Sequence, residues 1–424
     1  MKYIDTRNQQ PVTNLTDAIR QGLTASGGLF VPEYIPEIDL KEYVNKTEYA
    51  NFSSMVLNDY FAGDVLQADL QQICNNAFTF PLPLTQLNGN TWLLELFHGP
   101  TLSFKDFGAR FLAECLQRIP TEKKMTIMVA TSGDTGSAVA SALHGKKNIN
   151  VIILYPKGKI SKRQEQQITC WGDNVIALAV RGNFDDCQHL VKSAFQDKWW
   201  QEHFTLGSAN SINVGRLLPQ ITYYAFSSMQ YYQQYHQLPG YIVPTGNLGN
   251  ATAAYYAKLM GFPIREIVLA TNANMTLVDY LQTGKFIPRQ TIATLANAMD
   301  VGNPSNFERL QYLFNTFESF KKNVRAFSVS DDEIRETIVK VYREDNKIIC
   351  PHTATACFVR QKLSDEPWVV VATADACKFD SVVEPLIHAE IPQSAQMLEM
   401  CSKPVKMHEV ENNLEAVREC LSLN

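Results

Sequence analysis

Short apolar segments that alternate with helical segments constrain the fold of this chain most. Strands are predicted at residues 92–97, 125–131, 150–156, 175–180, 241–246, 266–272 and 368–374, with helical periodicity between most of them. Such nearly continuous apolar strands are typical of parallel sheets that helices cover on both faces. The pattern therefore predicts an α/β protein with mainly parallel sheets.

The length of the chain predicts more than one domain. A chain of 424 residues is too long for one compact core, and the strand–helix pattern occurs in two blocks. We predict a helical N-terminal segment (residues 1–80), a small α/β domain (81–236) and a large α/β domain (237–424), the two domains facing a cleft. Ligands of open α/β sheets bind at the carboxyl ends of the strands, so the loops that follow strands are the candidate site.

Composition excludes several classes of function. Lys and Arg number 38 against 43 Asp and Glu, which gives no support to a nucleic-acid binder. No apolar run approaches the ~20 residues that cross a bilayer, and the N-terminus lacks a secretory signal. Nine cysteines without C-x-x-C spacing are expected to be reduced thiols. We therefore expect a cytoplasmic protein without a membrane or nucleic-acid partner, and we expect no metal site.

One post-strand loop carries a candidate reactive lysine. In HGPTLSFKDFG (98–108), Lys105 stands between two phenylalanines, and Asp106 is the predicted N-cap of the next helix. Desolvation lowers the pKa of a lysine and makes its amine nucleophilic. From these residues alone, a surface lysine beside a capping aspartate remains an alternative.

Two further loops have the composition of anion-binding turns. TSGDTGSA (131–138) and TGNLGNATA (245–253) each join a predicted strand to a predicted helix. Backbone N–H groups at such helix N-termini bind anions, although ordinary tight turns use the same residues. Two such loops suggest a ligand, or a ligand pair, with a phosphate and a carboxylate. No strand is followed by a dinucleotide fingerprint, which disfavours a nicotinamide dehydrogenase.

Five motifs together resemble those of the threonine synthase family, which are pyridoxal 5′-phosphate (PLP) enzymes of the tryptophan-synthase-β fold (fold type II). FHGPTLSFKDFGARF resembles their Schiff-base lysine motif, and ATSGDTGSA resembles their substrate-carboxylate loop. SANSINVGR (208–216) resembles the substrate-phosphate segment, PTGNLGN the cofactor-phosphate loop and TADACKF (373–379) the cofactor-nitrogen segment. TLANAMDVGNPSNFERL (294–310) resembles a further signature stretch. The resemblance extends from the N-terminus to about residue 390.

The resemblance implies a role for each matching residue. Lys105 is implied to hold PLP as an imine and to shuttle protons, with Asp134 near the 3′-oxygen and Thr373 at the pyridine nitrogen. The residues implied at the cofactor phosphate are Gly246, Asn247, Leu248, Gly249 and Asn250; those at the substrate carboxylate are Ser132, Thr135 and Gly136; those at the substrate phosphate are Asn210, Ser211 and Arg216. Leu248 stands where the family often has Phe.

The implied activity is the last step of threonine biosynthesis, the conversion of O-phospho-L-homoserine and water to L-threonine and phosphate by γ-elimination and β-addition. The enzyme would be a lyase and a monomer or homodimer. The small domain would carry Lys105 and the substrate loops, and the large domain the cofactor-phosphate loop. A phospho-lyase that releases a 2-oxo acid and ammonia remains an alternative, as does a non-catalytic binding protein. His98 is interpreted as structural and His352 as a helix-start cap.

Overall fold

The N-terminal segment combines helices with a short strand pair. The computed structural model describes residues 1–121 and 123–422. The first elements are β1 (Tyr3–Asp5), α1 (Leu15–Gln21), β2 (Phe30–Pro32), α2 (Tyr49–Leu57) and α3 (Leu70–Ala77). The antiparallel pairing of β1 with β2 was not predicted.

Strands and helices alternate through the middle of the chain. The elements are β3 (Leu84–Asn88), β4 (Thr91–Glu95), α4 (Lys105–Arg118), β5 (Met125–Ala130), α5 (Asp134–Leu143), β6 (Ile149–Pro156), α6 (Lys162–Thr169), β7 (Val175–Val180), α7 (Phe184–Gln196), α8 (Lys198–His203), β8 (Thr205–Ser208) and α9 (Val214–Tyr235). Polar residues define several helix starts: Ser161 with Gln164 on α6, and Asn183 with Asp186 on α7, form capping boxes.

The alternation continues to the C-terminus. The elements are β9 (Gly240–Pro244), α10 (Gly249–Leu259), β10 (Ile267–Thr271), α11 (Thr276–Thr283), α12 (Phe307–Leu313), α13 (Phe317–Asn323), β11 (Arg325–Ser328), α14 (Asp331–Asp345), α15 (Pro351–Arg360), β12 (Trp368–Ala372), α16 (Asp380–Ile387), α17 (Ala395–Ser402), β13 (His408–Val410) and α18 (Leu414–Ser422). Within the residues that the structure describes, no helix is both long and apolar enough to cross a membrane.

Two sheets organise the molecule. The larger has six strands in the order β11-β10-β9-β12-β4-β3, and the smaller has five in the order β13-β7-β6-β5-β8. All pairings in both sheets are parallel except that of β3 with β4. Every residue of β5, β9, β10 and β12 is buried, as their apolar sequences require. The prediction of an α/β fold with mainly parallel sheets is confirmed.

Sheet pairing departs from the predicted division of the chain at two places. Strands β3 and β4 precede residue 236 but belong to the larger sheet, where β4 pairs with β12. Strand β13 lies beyond residue 237 but pairs with β7 of the smaller sheet. Strand β13 lies at the edge of its sheet, and β4 lies between β12 and the edge strand β3. Both strands pair with sequence-distant partners, which local patterns do not encode. The division at residues 80/81 and 236/237 otherwise stays a prediction.

Strand order brings the predicted loops together. Strands β9, β12 and β4 are consecutive neighbours in the larger sheet, and β5 and β8 are neighbours in the smaller one. Parallel strands have their carboxyl ends at the same edge of a sheet. The loops after β4, β9 and β12 therefore lie side by side, and so do the loops after β5 and β8.

Candidate active site

The predicted loops line one cleft. The predicted site residues on its walls are Lys105, Asp134, Thr135, Ser211, Arg216, Gly246, Asn247, Leu248, Gly249, Asn250 and Thr373. Three predicted residues, Ser132, Gly136 and Asn210, are not among the lining residues. The cleft is thus built from both sheets, each contributing the loops at the carboxyl ends of its strands.

Lys105 is the first residue of α4 and its amine reaches the opposite wall. The Lys105 Nζ donates a hydrogen bond of 2.8 Å to the Thr135 hydroxyl at the start of α5. Burial lowers the pKa of the Lys105 amine to about 8, a change that Asp134 opposes and the positive charges of Arg216 and Lys378 reinforce. At neutral pH a usable fraction of the amine is therefore uncharged.

Asp106 does not cap α4, contrary to the prediction. Residue 104 occupies the N-cap position, and no side chain caps the helix there. The Asp106 carboxylate instead accepts hydrogen bonds from the Thr101 N–H (2.8 Å) and the Thr101 hydroxyl (2.7 Å). Because it lies inside the first turn, Asp106 folds the preceding loop back on the helix. These hydrogen bonds fix the conformation of the loop that leads to Lys105.

Asp134 is a buried and ionised carboxylate on the cleft wall. Its Oδ1 lies 2.7 Å from the Lys378 Nζ and accepts a hydrogen bond of 3.0 Å from the Gln164 Nε2. Burial alone would raise the pKa of Asp134, but the charge of Lys378, followed by those of His352 and Lys105, lowers it to about 2. Asp134 is therefore ionised throughout the physiological range.

The loop between β9 and α10 has the shape of an anion cradle. Leu248 is the N-cap of α10 with φ 61°, the left-handed region that a leucine rarely adopts. A Cβ on Gly246 would lie 2.6 Å from the Met299 carbonyl oxygen and 2.7 Å from its Cα, so only glycine fits there. Strained, over-packed loops of this kind are concentrated at ligand sites.

Two predicted phosphate-binding segments touch directly. The Asn247 Nδ2 donates to the Ser211 hydroxyl at 2.6 Å, and the Asn306 Nδ2 approaches the same oxygen at 3.4 Å. Arg216 is buried, donates from Nη1 to the Ala209 carbonyl at 2.6 Å, and has an Nε without a hydrogen-bond partner among the described residues. Burial lowers the pKa of Arg216 to about 10, which leaves it charged at pH 7.

Thr373 follows β12 directly and is tied to the lysine loop. Its carbonyl accepts a hydrogen bond of 2.8 Å from the Phe104 N–H, and Ser103 forms a β-bridge with Ala374. Thr373 is buried on the cleft wall. Its position is therefore fixed relative to Lys105.

Several predicted residues have protein partners. The Gly136 N–H donates to the Thr131 hydroxyl at 2.9 Å, and the Asn210 Nδ2 donates to the Ala130 carbonyl at 2.9 Å. The Asn250 side chain accepts from the Thr245 hydroxyl and donates to the Pro244 carbonyl. Ser132 is partly buried. These residues shape the loops whose backbones line the cleft.

One cleft residue was misinterpreted, and one buried residue that pairs with the cleft residue Asp134 was missed. His352 is not a cap, because the Cys350 side chain caps α15. The His352 Nε2 accepts the Ala298 N–H at 3.1 Å, and its buried Nδ1 has no partner among the described residues. Burial lowers the pKa of His352 to about 4. Lys378 is fully buried and was not predicted as a site residue, although it lies in the motif TADACKF. A lysine next to apolar residues in this motif is the feature that could have revealed it.

His98, the other histidine considered as an acid–base group, is not among the residues that line the cleft. The His98 Nε2 lies 2.8 Å from the Glu95 carboxylate, which agrees with its interpretation as structural. Among the described residues, no group of three or more His, Cys, Asp or Glu side chains is arranged to hold a metal ion.

A cleft lined from two mainly parallel sheets, with a buried lysine and a glycine-rich helix N-terminus on its walls, fits the class of pyridoxal-phosphate dependent enzymes. Residues 78–374 match the family described as pyridoxal-phosphate dependent enzyme, and residues 2–78 match threonine synthase N terminus. The chain belongs to the threonine synthase family of this class.

Comparisons over the full length support that assignment. Threonine synthase of Haemophilus influenzae is 39% identical over 99% of both chains. The crystal structure of threonine synthase from Escherichia coli has a TM-score of 0.93 and 36% identity, covering 100% of both chains. The structure of PLP-bound threonine synthase from Brucella melitensis has a TM-score of 0.92 and 33% identity, over 99% of this chain and 98% of that one.

Proposed function

We propose that this protein uses PLP to convert O-phospho-L-homoserine and water into L-threonine and phosphate. The observation that carries the proposal is the position of Lys105, whose amine faces the 131–138 loop from the base of a cleft that the 245–249 cradle also lines. When bound, PLP supplies an electron sink that stabilises negative charge on substrate carbon. The protein must bind both the cofactor and the substrate, exclude water from the steps that precede the addition of water, and move protons at the Lys105 Nζ.

The residues of the cleft suit the groups of the cofactor. The backbone N–H groups of the 246–249 loop lie at the N-terminus of α10, where a phosphate is favoured. Thr373 would offer its hydroxyl to the pyridine nitrogen, and Lys105 would offer the amine for covalent attachment; both line the cleft. Asp134 lies on the wall beside Lys105, which fits the expected place of the 3′-oxygen.

A second set of residues suits the substrate. Ser132 lies in the loop before α5, and Thr135 and Gly136 lie in the first turn of α5, where the helix N-terminus favours the substrate carboxylate. Ser211 and Arg216 lie on the wall with the Asn247 side chain, and Asn210 holds their loop against β5. An arginine fork recognises a phosphate by paired hydrogen bonds.

We further propose that the enzyme acts in the cytoplasm as a monomer or homodimer. Within the described residues no disulfide joins any of the nine cysteines, and eight of them are buried. Free thiols are usual in reducing compartments.

The product assay tests the proposed reaction. The purified protein with PLP and O-phospho-L-homoserine should release phosphate and threonine in equal amounts. Phosphate with 2-oxobutyrate and ammonia instead of threonine would make the protein a phospho-lyase. A protein that binds PLP but releases no phosphate would be a non-catalytic binding protein.

Gly246→Ala is expected to lower the affinity for PLP. The added methyl would press on the Met299 backbone at 2.6–2.7 Å, and over-packing of this kind costs about 1–3 kcal/mol. The Kd for PLP should then rise about fivefold to 150-fold, measured by absorbance titration. Gly249→Ala is the matched control, because its Cβ would meet neighbours only at 3.5 Å or more. Equal losses in both variants would contradict a steric role for Gly246.

Thr373→Asp is expected to reduce threonine formation and to increase side reactions, above all transamination. A carboxylate beside the pyridine nitrogen favours its protonation, whereas a hydroxyl leaves it neutral. Thr373→Ser retains the hydroxyl and removes one methyl, about 0.8 kcal/mol, so its kcat/KM should stay within about fourfold. Product partitioning and cofactor spectra of both variants give the measurement. A PLP-loaded Thr373→Asp protein with unchanged threonine yield would show that Thr373 does not contact the nitrogen.

A further inference from the structure

Two lysines and one carboxylate meet at the cleft. Asp134 forms its ion pair with Lys378, with 2.7 Å between Oδ1 and Nζ, and the exposed fractions of these side chains are 3% and 0%. Lys105 instead donates to the hydroxyl of Thr135, the neighbour of Asp134 in sequence. The carboxylate that favours the charged form of the Lys105 amine is therefore already paired with another cation.

Lys378 is held in this position from two sides. Its Nζ donates a second hydrogen bond, of 2.9 Å, to the Thr101 carbonyl in the lysine loop. Thr101 is itself fixed, because its N–H and hydroxyl donate to Asp106. On the other side, the Gln164 Nε2 donates to the same Asp134 oxygen that Lys378 contacts. A buried ion pair is costly unless its remaining groups are hydrogen-bonded in this way.

The charges around Lys105 explain why this pairing matters. The groups that influence its amine are Asp134, Arg216 and Lys378, and the buried His352 nearby has a pKa lowered to about 4, which makes it neutral at pH 7. Asp106 lies within reach of Lys378 and Arg216. Of these groups, Asp134 favours the charged ammonium. Without Lys378, the ammonium group of Lys105 would be left to compensate the negative charge of Asp134.

We propose that Lys378 is a positioning residue that neutralises Asp134 and so increases the fraction of the Lys105 amine that is uncharged and nucleophilic. The proposal rests on the proposed role of Lys105 in holding PLP. In this role Lys378 contacts neither the Lys105 amine nor a ligand, and it acts through the Asp134 carboxylate. A nearby fixed cation is a known chemical means of keeping a lysine amine deprotonated.

The test measures the charge state of Lys105 directly. In the full-length chain freed of PLP, Lys105 is labelled with an amine-reactive reagent across a pH series, and the labelled site is quantified by peptide mass spectrometry. Lys378→Gln removes the charge but keeps a hydrogen-bond donor. We expect the midpoint of Lys105 labelling to rise by about one pH unit, so labelling at pH 7 falls about tenfold. Lys378→Arg, which keeps the charge, should retain the wild-type midpoint.

Two results would overturn the role of Lys378: an unmoved midpoint in Lys378→Gln, or the same shift in Lys378→Arg. Asp134→Asn provides a second test if Lys378→Gln does not fold. It removes the carboxylate and leaves the cation, so the Lys105 midpoint should fall below that of the wild type, and an unchanged midpoint would contradict the proposal. Reduction of the wild-type PLP linkage and peptide mapping come first. Linkage to another lysine would refute the proposed function, whereas linkage to Lys105 without a midpoint shift would refute only the role of Lys378.

Discussion

Lys105→Ala is expected to abolish threonine formation and the absorbance of the PLP imine. The variant loses both the amine that attaches PLP and the group proposed to move protons, and the loss of general acid–base catalysis alone costs about 10²–10⁴-fold. PLP should still bind weakly through the 246–249 loop. The measurements are initial rates of threonine release and absorbance spectra of the PLP-loaded protein.

The control for Lys105→Ala is Lys159→Ala, which removes an exposed lysine that does not line the cleft. Its rate and spectrum should match the wild type. Borohydride reduction of the wild-type protein should then place the PLP label on the peptide that contains Lys105. A label on the peptide of Lys378, the other buried lysine of the site, would contradict the assignment.

Arg216→Ala is expected to damage use of the phosphorylated substrate while leaving PLP content near normal. The change removes a charge-assisted contact worth about 1.5–3 kcal/mol, or roughly tenfold to a hundredfold in kcat/KM. Arg216→Lys keeps the charge without the planar fork and should give an intermediate loss. The measurements are kcat/KM for O-phospho-L-homoserine and PLP content per chain.

The opposite result would overturn the assignment of Arg216 to the substrate phosphate and of the 246–249 loop to the cofactor phosphate. A variant that loses PLP but processes O-phospho-L-homoserine normally would place Arg216 at the cofactor. Because Arg216 is buried and packs against Gly108 of α4, the melting temperature of each variant must be compared with that of the wild type. A loss of rate in a protein of unchanged stability then reports on substrate binding.

Motif recognition predicted most of the candidate site because each motif lies where a strand ends. Eleven of the fourteen predicted residues line the cleft, and a Gly turn at a helix start is a local feature that backbone sterics require. The exceptions, Gly136 and Asn210 among them, have the predicted location but give their polar groups to the protein. Whether such a polar group binds a ligand or another part of the protein depends on the residues that pack against it in the tertiary structure.

The capping predictions failed where a side chain found a partner outside its own helix. Asp106 was expected to cap its own helix, but Thr101 offered two donors from a loop folded back over it. His352 was expected to cap α15, yet its ring reaches the backbone of Ala298. In both cases the capping role was chemically possible, but Asp106 contacts the preceding loop and His352 contacts a segment distant in sequence.

The sequence by itself determined the α/β class, the family and the placement of the loops, because apolar periodicity, glycine turns and capping residues act within a few neighbouring residues. Only the tertiary structure decided that β4 and β13 cross between the predicted domains, and that Asp134 pairs with Lys378 and not with Lys105. Sheet order fixes which distant loops meet. The energy of a buried charge depends on the groups that then surround it.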